Sequence, residues 1–261
     1  MAVFMDGLPI DLIALCLAAF LAGLMDAVVG GGGLIQVPAL FVSLPQVVPA
    51  SLFGTNKLSG VFGTGAAALG YAKKIRLPWR VVLPAVFGAL IFSFLGARLV
   101  SSLPIDAVRK SLPFILIAIL VYVYKQHEFG FHTQQRFQGR VEILLAGLTG
   151  AVIGFYDGLI GPGTGSFLVF IFIRLFGFDF LSASAVSKVV NLACNLSALA
   201  WFGYAGHILW KVGFIMALFN IVGARLGVQL ALKHGSPFVR RIFLLIVGLL
   251  IVLTAKQAFL G

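Results

Sequence analysis

Long apolar runs separated by short polar turns make up almost the whole chain. The runs Val81 to Val100, Leu112 to Tyr124 and Arg241 to Leu253, with their apolar flanks, approach the roughly 20 residues that a helix needs to cross a bilayer core about 30 Å thick. This pattern predicts an all-α polytopic membrane protein. The predicted helices lie near Asp11 to Val29, Leu34 to Leu44, Ala50 to Tyr71, Arg80 to Ser101, Val108 to Tyr124, Val141 to Leu159, Gly165 to Phe176, Leu181 to Phe202, Leu209 to Leu232 and Arg240 to Gln257.

Two apolar stretches are too long to be single membrane helices. A continuous helix over residues 11–43 would be about 50 Å long at 1.5 Å per residue, which exceeds the bilayer core. The run Gly30 to Gly33 interrupts this stretch, and Gly161 to Gly165, with Pro162, interrupts the second one. Because glycine and proline are disfavoured inside helices, we expect broken helices here, with a shorter helical segment that re-enters the membrane.

The two interruptions belong to a longer internal correspondence. Chemically similar residues recur 131 positions apart: Asp26 and Asp157, Lys57 and Lys188, Trp79 and Trp210, and the basic pairs Arg109-Lys110 and Arg240-Arg241. This spacing predicts two homologous repeats of four to five helical segments, residues 1–124 and 141–261, joined by a polar linker at residues 125–140. A duplicated unit with buried charges is typical of secondary transporters.

The distribution of basic residues predicts the orientation of the repeats. Unbroken long helices would divide the Lys and Arg residues nine to eight between the two sides, whereas a returning segment in each half divides them twelve to five. The larger group is Lys73, Lys74, Arg76, Arg80, Lys125, Arg136, Arg140, Arg174, Arg225, Lys233, Arg240 and Arg241. Since cytoplasmic loops carry the excess of positive charge, we expect inverted repeats, with both termini outside and the linker in the cytoplasm.

Composition narrows the class of protein further. Hydrophobic residues make up 61% of the chain, charged residues make up 10%, and the mean hydropathy is +1.09, which excludes an ordinary soluble domain. The net charge of +11 is spread over short turns, so it indicates membrane topology and contact with lipid rather than nucleic acid. The chain has no P-loop, nucleophile elbow or metal-ligand spacing, and we expect no enzyme activity, metal or cofactor.

The glycine clusters are the first candidate functional features. Unwound backbone at membrane depth is tolerated where it lines a cavity, and the helix that follows then presents free N–H groups and a positive dipole end, which favour an anion. The candidate ligands are Gly30, Gly31, Gly32, Gly33, Gly161, Gly163, Thr164 and Gly165. Close helix packing is the alternative explanation of such glycines.

Four ionisable residues lie in apolar sequence near these clusters. Asp26 and Asp157 each precede a glycine cluster, and Lys57 and Lys188 are their natural partners. An ionisable group at membrane depth normally faces the bundle interior and has a partner. Structural ion bridges that fix each repeat are one interpretation. The functional alternative is a cationic substrate site, with the carboxylates as counter-ions or proton carriers.

Polar side chains near the lysines complete the candidate substrate site. They are Gln36, Thr55, Asn56, Ser187, Asn191 and Asn195. Ser187, Lys188 and Asn191 share one helix face, and Asn195 continues it one turn later. Hydrogen bonds between helices would explain such a polar stripe equally well.

Several of these segments together resemble a known family of membrane proteins, TauE/SafE, and are most similar to its YfcA-like branch. The segments that carry the resemblance are Ala22 to Asp26, Gly30 to Pro38, Gly54 to Lys57, Gly154 to Gly158, Gly161 to Gly165, Ser187-Lys188 with Asn191, and Gly223 to Arg225. The resemblance covers nearly the whole chain. It implies a transporter of the bacterial inner membrane, with sulfite, sulfoacetate or another small organosulfur anion as substrate.

These observations favour a secondary transporter of small anions, with sulfite and organosulfonates as the leading substrate class. Protonation of Asp26 or Asp157 would release the paired lysine to the anion and so couple proton and substrate movement. A passive anion channel and a non-transporting scaffold or sensor remain as alternatives, and homo-oligomerisation stays open.

Overall fold

The protein is described by a computed structural model that covers residues 8–99, 117, 121, 124 and 137–259. These residues form eight helices and no strand, which confirms the all-helical class. They are α1 (Leu8–Val29), α2 (Gly33–Ser43), α3 (Pro49–Ala72), α4 (Trp79–Leu99), α5 (Gly139–Leu159), α6 (Thr164–Phe176), α7 (Phe180–Tyr204) and α8 (Trp210–Phe259). The predicted helix Val108 to Tyr124 and most of the linker lie outside the described residues.

The lengths of these helices fit a protein that crosses the membrane several times. Five stretches in the described part of the chain are long and apolar enough to span a bilayer: Leu12–Val29, Trp79–Leu99, Gly139–Leu159, Phe180–Tyr204 and Trp210–Leu245. Helix α3 has 24 residues but is less apolar, and more than half of its residues are buried. The polytopic membrane architecture is therefore confirmed.

Helices α2 and α6 are separate short helices, as the glycine clusters predict. They contain 11 and 13 residues, which correspond to about 17 and 20 Å and are too short to cross the membrane. The preceding breaks contain glycines with φ of 81° and 97° at Gly30 and Gly31, and 84° and 91° at Gly161 and Gly163. L-residues with a side chain rarely adopt these angles, so glycine is needed to end one helix and start the next.

Helix α8 also contains an interruption, which matches the two helices predicted there. Gly235 has φ 71° and ψ −170°, and Pro237 follows two residues later. This conformation breaks the helical hydrogen-bond pattern between the segments predicted near Leu209 to Leu232 and Arg240 to Gln257. The other observed boundaries also lie within a few residues of the predicted ones.

The closest helix contacts are made by small residues. Gly150, Gly154 and Gly158 on α5 pack against the backbone of α4, and a Cβ added to Gly150 would lie 1.9 Å from the carbonyl oxygen of Ala85. Large apolar side chains such as Leu144 point outward instead, where they are exposed and available to lipid. Small residues inside and large ones outside are typical of packed membrane helices.

The contacts also give the relative directions of the helices. Gly54 of α3 lies beside Phe202 of α7 while Gly65 lies beside Leu192, so these two helices run in opposite directions. Helix α1 packs mainly on α8, and α4 packs mainly on α5. Because α1 and α4 belong to the first half of the chain and α8 and α5 belong to the second, the two halves are packed into each other.

Candidate functional site

A small polar cavity lies where the two helix breaks meet. The breaks are in backbone contact, since a Cβ added to Gly30 would lie 2.2 Å from the carbonyl carbon of Gly165. The volume open to the centre of a water-sized sphere is about 40 Å³. By this measure the cavity holds about three water molecules.

Most of the predicted site residues line this cavity. They are Asp26, Gly31, Gly32, Gly33, Gln36, Asn56, Lys57, Asp157, Gly161, Gly163, Thr164, Gly165, Asn191 and Asn195. They come from α1 and α5, from both breaks and from the first turns of α2 and α6, while α3 and α7 contribute three asparagines and one lysine. Residues far apart in sequence thus converge on one cavity.

The N-terminal ends of α2 and α6 face the cavity without a side-chain cap. Gly32 and Gly163 occupy the N-cap positions, and glycine has no side chain that could cap the first turn. Helix α7 differs, because the Asp179 carboxylate accepts hydrogen bonds from the N–H groups of Leu181 and Ser182. The N–H groups of Leu34, Ile35 and Thr164 bond to carbonyls within the breaks, and both first turns direct a positive dipole end at the cavity.

Two buried ion pairs border the cavity, and each joins the two halves of the chain. Lys57 Nζ lies 2.5 Å from Asp157 Oδ2, and Lys188 Nζ lies 3.2 Å from Asp26 Oδ1. These distances confirm the prediction that the two lysines are the partners of the two aspartates. Bridges that fix each half separately, one of the interpretations above, are not what the structure contains.

The two ion pairs differ in their access to the cavity. Lys57 and Asp157 are each 3% exposed and both line the cavity. Lys188 is 0% exposed and does not line it, and its Nζ also donates to the backbone carbonyl of Asp26. The first pair therefore presents both of its members to the cavity, whereas the second presents only Asp26, which is 13% exposed, and its lysine is enclosed by protein.

The end of α1 is held by side chains from other helices. Tyr71 donates to the Ala27 carbonyl at 2.9 Å, Ser184 donates to the Val28 carbonyl at 3.2 Å, and Ser166 donates to the carbonyls of Val29 and Gly30 at 3.3 Å each. The last carbonyls of a helix have no partner within that helix and must be satisfied otherwise when buried. Here α3, α6 and α7 supply the donors.

The end of α5 is held by nearby residues. Thr164 Oγ1 donates to the Gly161 carbonyl at 2.7 Å, and the Tyr156 hydroxyl donates to the Pro162 carbonyl at 2.5 Å. Both bonds connect residues within the same break, whereas those at the end of α1 connect distant parts of the chain.

A buried amide network borders the cavity at α2. Asn220 Nδ2 donates to Gln36 Oε1 at 3.0 Å and to Ser59 Oγ at 3.2 Å. Gln36 Nε2 is buried and has no hydrogen-bond partner among the described residues. Asp26 belongs to a second network, in which its Oδ2 accepts a bond from Thr64 at 3.1 Å.

Four predicted site residues lie outside the cavity lining. Gly30 packs on Gly165. Thr55 donates to the Ser51 carbonyl and accepts from the Leu209 amide, which ties α3 to the start of α8. Ser187 Oγ is buried without a partner in the described residues. Lys188 is the fourth, enclosed behind Asp26.

Other lining residues were missed by sequence reasoning. They are Ala22, Gly60, Thr64 and Asn220. The spacing of 131 residues could have identified Thr64 and Gly60, because they correspond to Asn195 and Asn191. Asn220 corresponds to Ala89, so its polarity inside an apolar helix was the only signal.

The arrangement suits an anion better than a metal ion. Among the described residues, no group of three or more His, Cys, Asp or Glu side chains could hold a metal. The cavity combines Lys57, the carboxylates of Asp26 and Asp157, amide groups and helix N-termini. Such groups bind oxyanions through directed N–H donors.

Comparison with known proteins identifies the family. The family model described as Sulfite exporter TauE/SafE matches residues 15–254. The chain belongs to the TauE/SafE family. A "Probable membrane transporter protein ORF9" of Sinorhizobium is 38% identical over 244 residues, covering 93% of this chain and 92% of the relative.

Two further TauE/SafE relatives are similarly complete. A "Probable membrane transporter protein" of Haemophilus influenzae is 36% identical over 252 residues, 96% of each chain. The YfcA protein of Escherichia coli K12 is 32% identical over 238 residues, 91% of this chain and 87% of YfcA. No solved structure matches the chain significantly. The family consists of membrane transporters rather than enzymes, which confirms the expectation that this TauE/SafE protein is not an enzyme.

Proposed function

We propose that this TauE/SafE protein is a secondary transporter that moves small anions across the inner membrane of a bacterium. The observation that carries the proposal is the convergence of two uncapped helix N-termini and the Lys57–Asp157 pair on one cavity. Positive helix ends and an ammonium group together favour a negative solute, while the two aspartates keep the empty site neutral.

Sulfite and organosulfonates are the leading substrate class. Sulfite is the substrate named in the description of the family. A cavity of about 40 Å³ suits a compact oxyanion, since it has room for about three waters. A longer sulfonate such as sulfoacetate would require the cavity to enlarge.

Proton coupling through Asp157 is the second part of the proposal. Lys57 and Asp157 neutralise each other in the empty site, so protonation of Asp157 would free the Lys57 ammonium group for the anion. Two aspartates and two lysines give a neutral empty site, and one proton with one monovalent anion leaves it neutral. This balance avoids a net charge at membrane depth, where charge is unfavourable.

The third part of the proposal is an inverted repeat with a cytoplasmic linker. The opposite directions of α3 and α7, which correspond in the two halves, support it. The native cysteines Cys16 and Cys194 are buried, so a cysteine introduced at Gln134 in the linker would be the main accessible thiol. An impermeant maleimide added to intact cells should leave this cysteine unlabelled. Labelling from outside would reject the proposed orientation.

Purified protein in liposomes separates the proposed function from its alternatives. Liposomes are loaded with buffer, an inward proton gradient is imposed at clamped membrane voltage, and the accumulation of labelled sulfite is followed. Concentration of sulfite above its own electrochemical gradient supports a proton-coupled transporter. Flux that only dissipates the gradient indicates a channel. Absence of flux for sulfite, sulfoacetate and small carboxylates indicates a scaffold or sensor, and either result overturns the proposal.

A further inference from the structure

The Gln36 side chain is a buried hydrogen-bond donor without a partner among the described residues. Gln36 is 2% exposed, its Oε1 accepts from Asn220, and its Nε2 is unbonded. Leaving a buried amide donor unpaired costs about 1–3 kcal/mol. Because buried polar groups in native proteins almost always have partners, this donor indicates that another molecule supplies the acceptor.

The Gln36 side chain lies at the cavity between the helix breaks. Gln36 lies in the first turn of α2, where its backbone amide bonds to the Gly32 carbonyl at 3.1 Å. Gln36 and Gly33 line the same cavity as Lys57. A solute in this cavity therefore lies beside the Gln36 side chain as well as the first turn of α2.

Asn220 holds the Gln36 amide in this orientation. A Cβ added to Gly63 would lie 1.7 Å from Asn220 Oδ1, and one added to Gly23 would lie 2.7 Å from the same atom. The Asn220 side chain is thus confined between α1 and α3, and it is also bonded to Ser59. Since Asn220 donates to Gln36 Oε1, the amide nitrogen of Gln36 is the atom left for a ligand.

The Gln36–Asn220 amide pair has no counterpart at the corresponding positions of the other half of the chain. The positions 131 residues away are Phe167 for Gln36 and Ala89 for Asn220, and neither side chain can donate a hydrogen bond. A polyatomic oxyanion can place separate oxygens at Lys57 and at Gln36, whereas a chloride ion has to accept from both donors with one atom.

We propose that Gln36, positioned by Asn220, is a specificity-determining residue that donates a hydrogen bond to a second oxygen of an oxyanion held near Lys57. The proposal rests on the anion site proposed above. It assigns Asn220 a positioning role, because Asn220 orients the amide through Gln36 Oε1. The substrate class that follows is a compact oxyanion with two or more oxygens, selected over halides.

Transport kinetics in liposomes test this role, with sulfite as the probe and chloride as competitor. Gln36→Leu removes the donor, so the KM for sulfite should rise at least tenfold with kcat within about threefold, while inhibition by chloride should stay unchanged. Asn220→Ala should shift the KM for sulfite in the same direction. The midpoint of thermal unfolding without sulfite should change little in Gln36→Leu, because the variant removes both an unpaired buried donor and the bond from Asn220.

A control variant removes a buried hydrogen bond elsewhere. Ser93 donates to the Cys194 carbonyl at 2.9 Å and does not line the cavity, so Ser93→Ala should leave the KM for sulfite unchanged. An unchanged KM in Gln36→Leu would mean that Gln36 binds only water and would overturn the inference. If Gln36→Leu does not fold, Gln36→Met, which has a similar length and also lacks the donor, decides by the same readout. If the wild-type protein transports no sulfite, the anion site itself is rejected. This outcome differs from a Gln36→Leu variant that transports sulfite with an unchanged KM.

Discussion

The two helix breaks occupy corresponding positions in the sequence but have different surroundings. The end of α1 is bonded by Tyr71, Ser166, Ser184 and Lys188, which come from three other helices. The described bonds at the end of α5 stay largely within the break, and its ion pair with Lys57 opens to the cavity. One break is therefore tied to the bundle, and the other is tied mainly to itself.

This difference suggests a division of labour between the breaks. A bond between distant helices restricts their relative movement, whereas a bond within one loop moves with that loop. We therefore expect the α1 break to act as a fixed frame and the α5 break to adjust when a solute enters. The Lys57–Asp157 pair would exchange partners in this process, and the Lys188–Asp26 pair would stay closed.

The largest effect should come from removing the enclosed lysine. Lys188→Met leaves the Asp26 carboxylate and its backbone carbonyl without their buried partner, and loss of one member of a buried pair costs about 3–5 kcal/mol. We expect a large decrease in the midpoint of thermal unfolding in detergent. Lys57→Met should abolish sulfite transport with a smaller loss of stability, because Lys57 bonds, among the described residues, only to the Asp157 carboxylate, whereas Lys188 contacts both the carboxylate and the backbone carbonyl of Asp26. Equal stability losses would contradict the division between the pairs.

A somewhat smaller effect is expected at the contact between the breaks. Gly30→Ala forces a side chain into a left-handed conformation, φ 81°, at about 1–2 kcal/mol, and into overlap with Gly165 at about 1–3 kcal/mol more. At Gly33 the nearest atom to an added Cβ is 3.6 Å away, so Gly33→Ala is the matched control. Thermal unfolding should shift strongly for the first variant and little for the second. A tolerated Gly30→Ala would mean that the breaks are not in rigid contact.

The smallest effect is expected from single hydroxyl groups. Tyr71→Phe leaves the buried Ala27 carbonyl without its donor and should lower the free energy of unfolding by about 1–2 kcal/mol. Tyr156→Phe removes a bond within the second break, to Pro162, and should affect hydrogen exchange mainly in residues 156–164. Hydrogen exchange measured by mass spectrometry checks both. If Tyr71→Phe raised exchange only locally, α1 would not depend on its neighbours as described.

Sequence alone gave a good account of the helices and of the residues at the cavity. The glycine runs predicted both breaks because few other residues adopt their backbone angles, and apolar length predicted the membrane helices. The partner of each charge was harder to predict. Lys57 pairs with Asp157, 100 residues away, because the halves interlock, and no local pattern contains that information.

The residues that sequence reasoning missed share a physical cause. Asn220 belongs to the site because α8 packs on α1 and α3, and Gly23 and Gly63 leave space for its amide. Lys188 fell outside the cavity lining for the same kind of reason, since its surroundings are set by α1. In both cases the position of the side chain depends on packing between helices that are distant in sequence, and the 131-residue spacing contains no information about that packing.

The central claim is that an anion rests in the cavity between the two uncapped helix ends. Selenite, the heavier analogue of sulfite, tests it most directly, because selenium scatters X-rays anomalously and can be located in crystals of the protein. We predict one anomalous peak in the cavity, within hydrogen-bonding reach of the backbone amides near Gly33 and Gly165, of Gln36 Nε2 and of Lys57 Nζ. An empty cavity at a selenite concentration that saturates transport, or a peak at another position, would contradict the account.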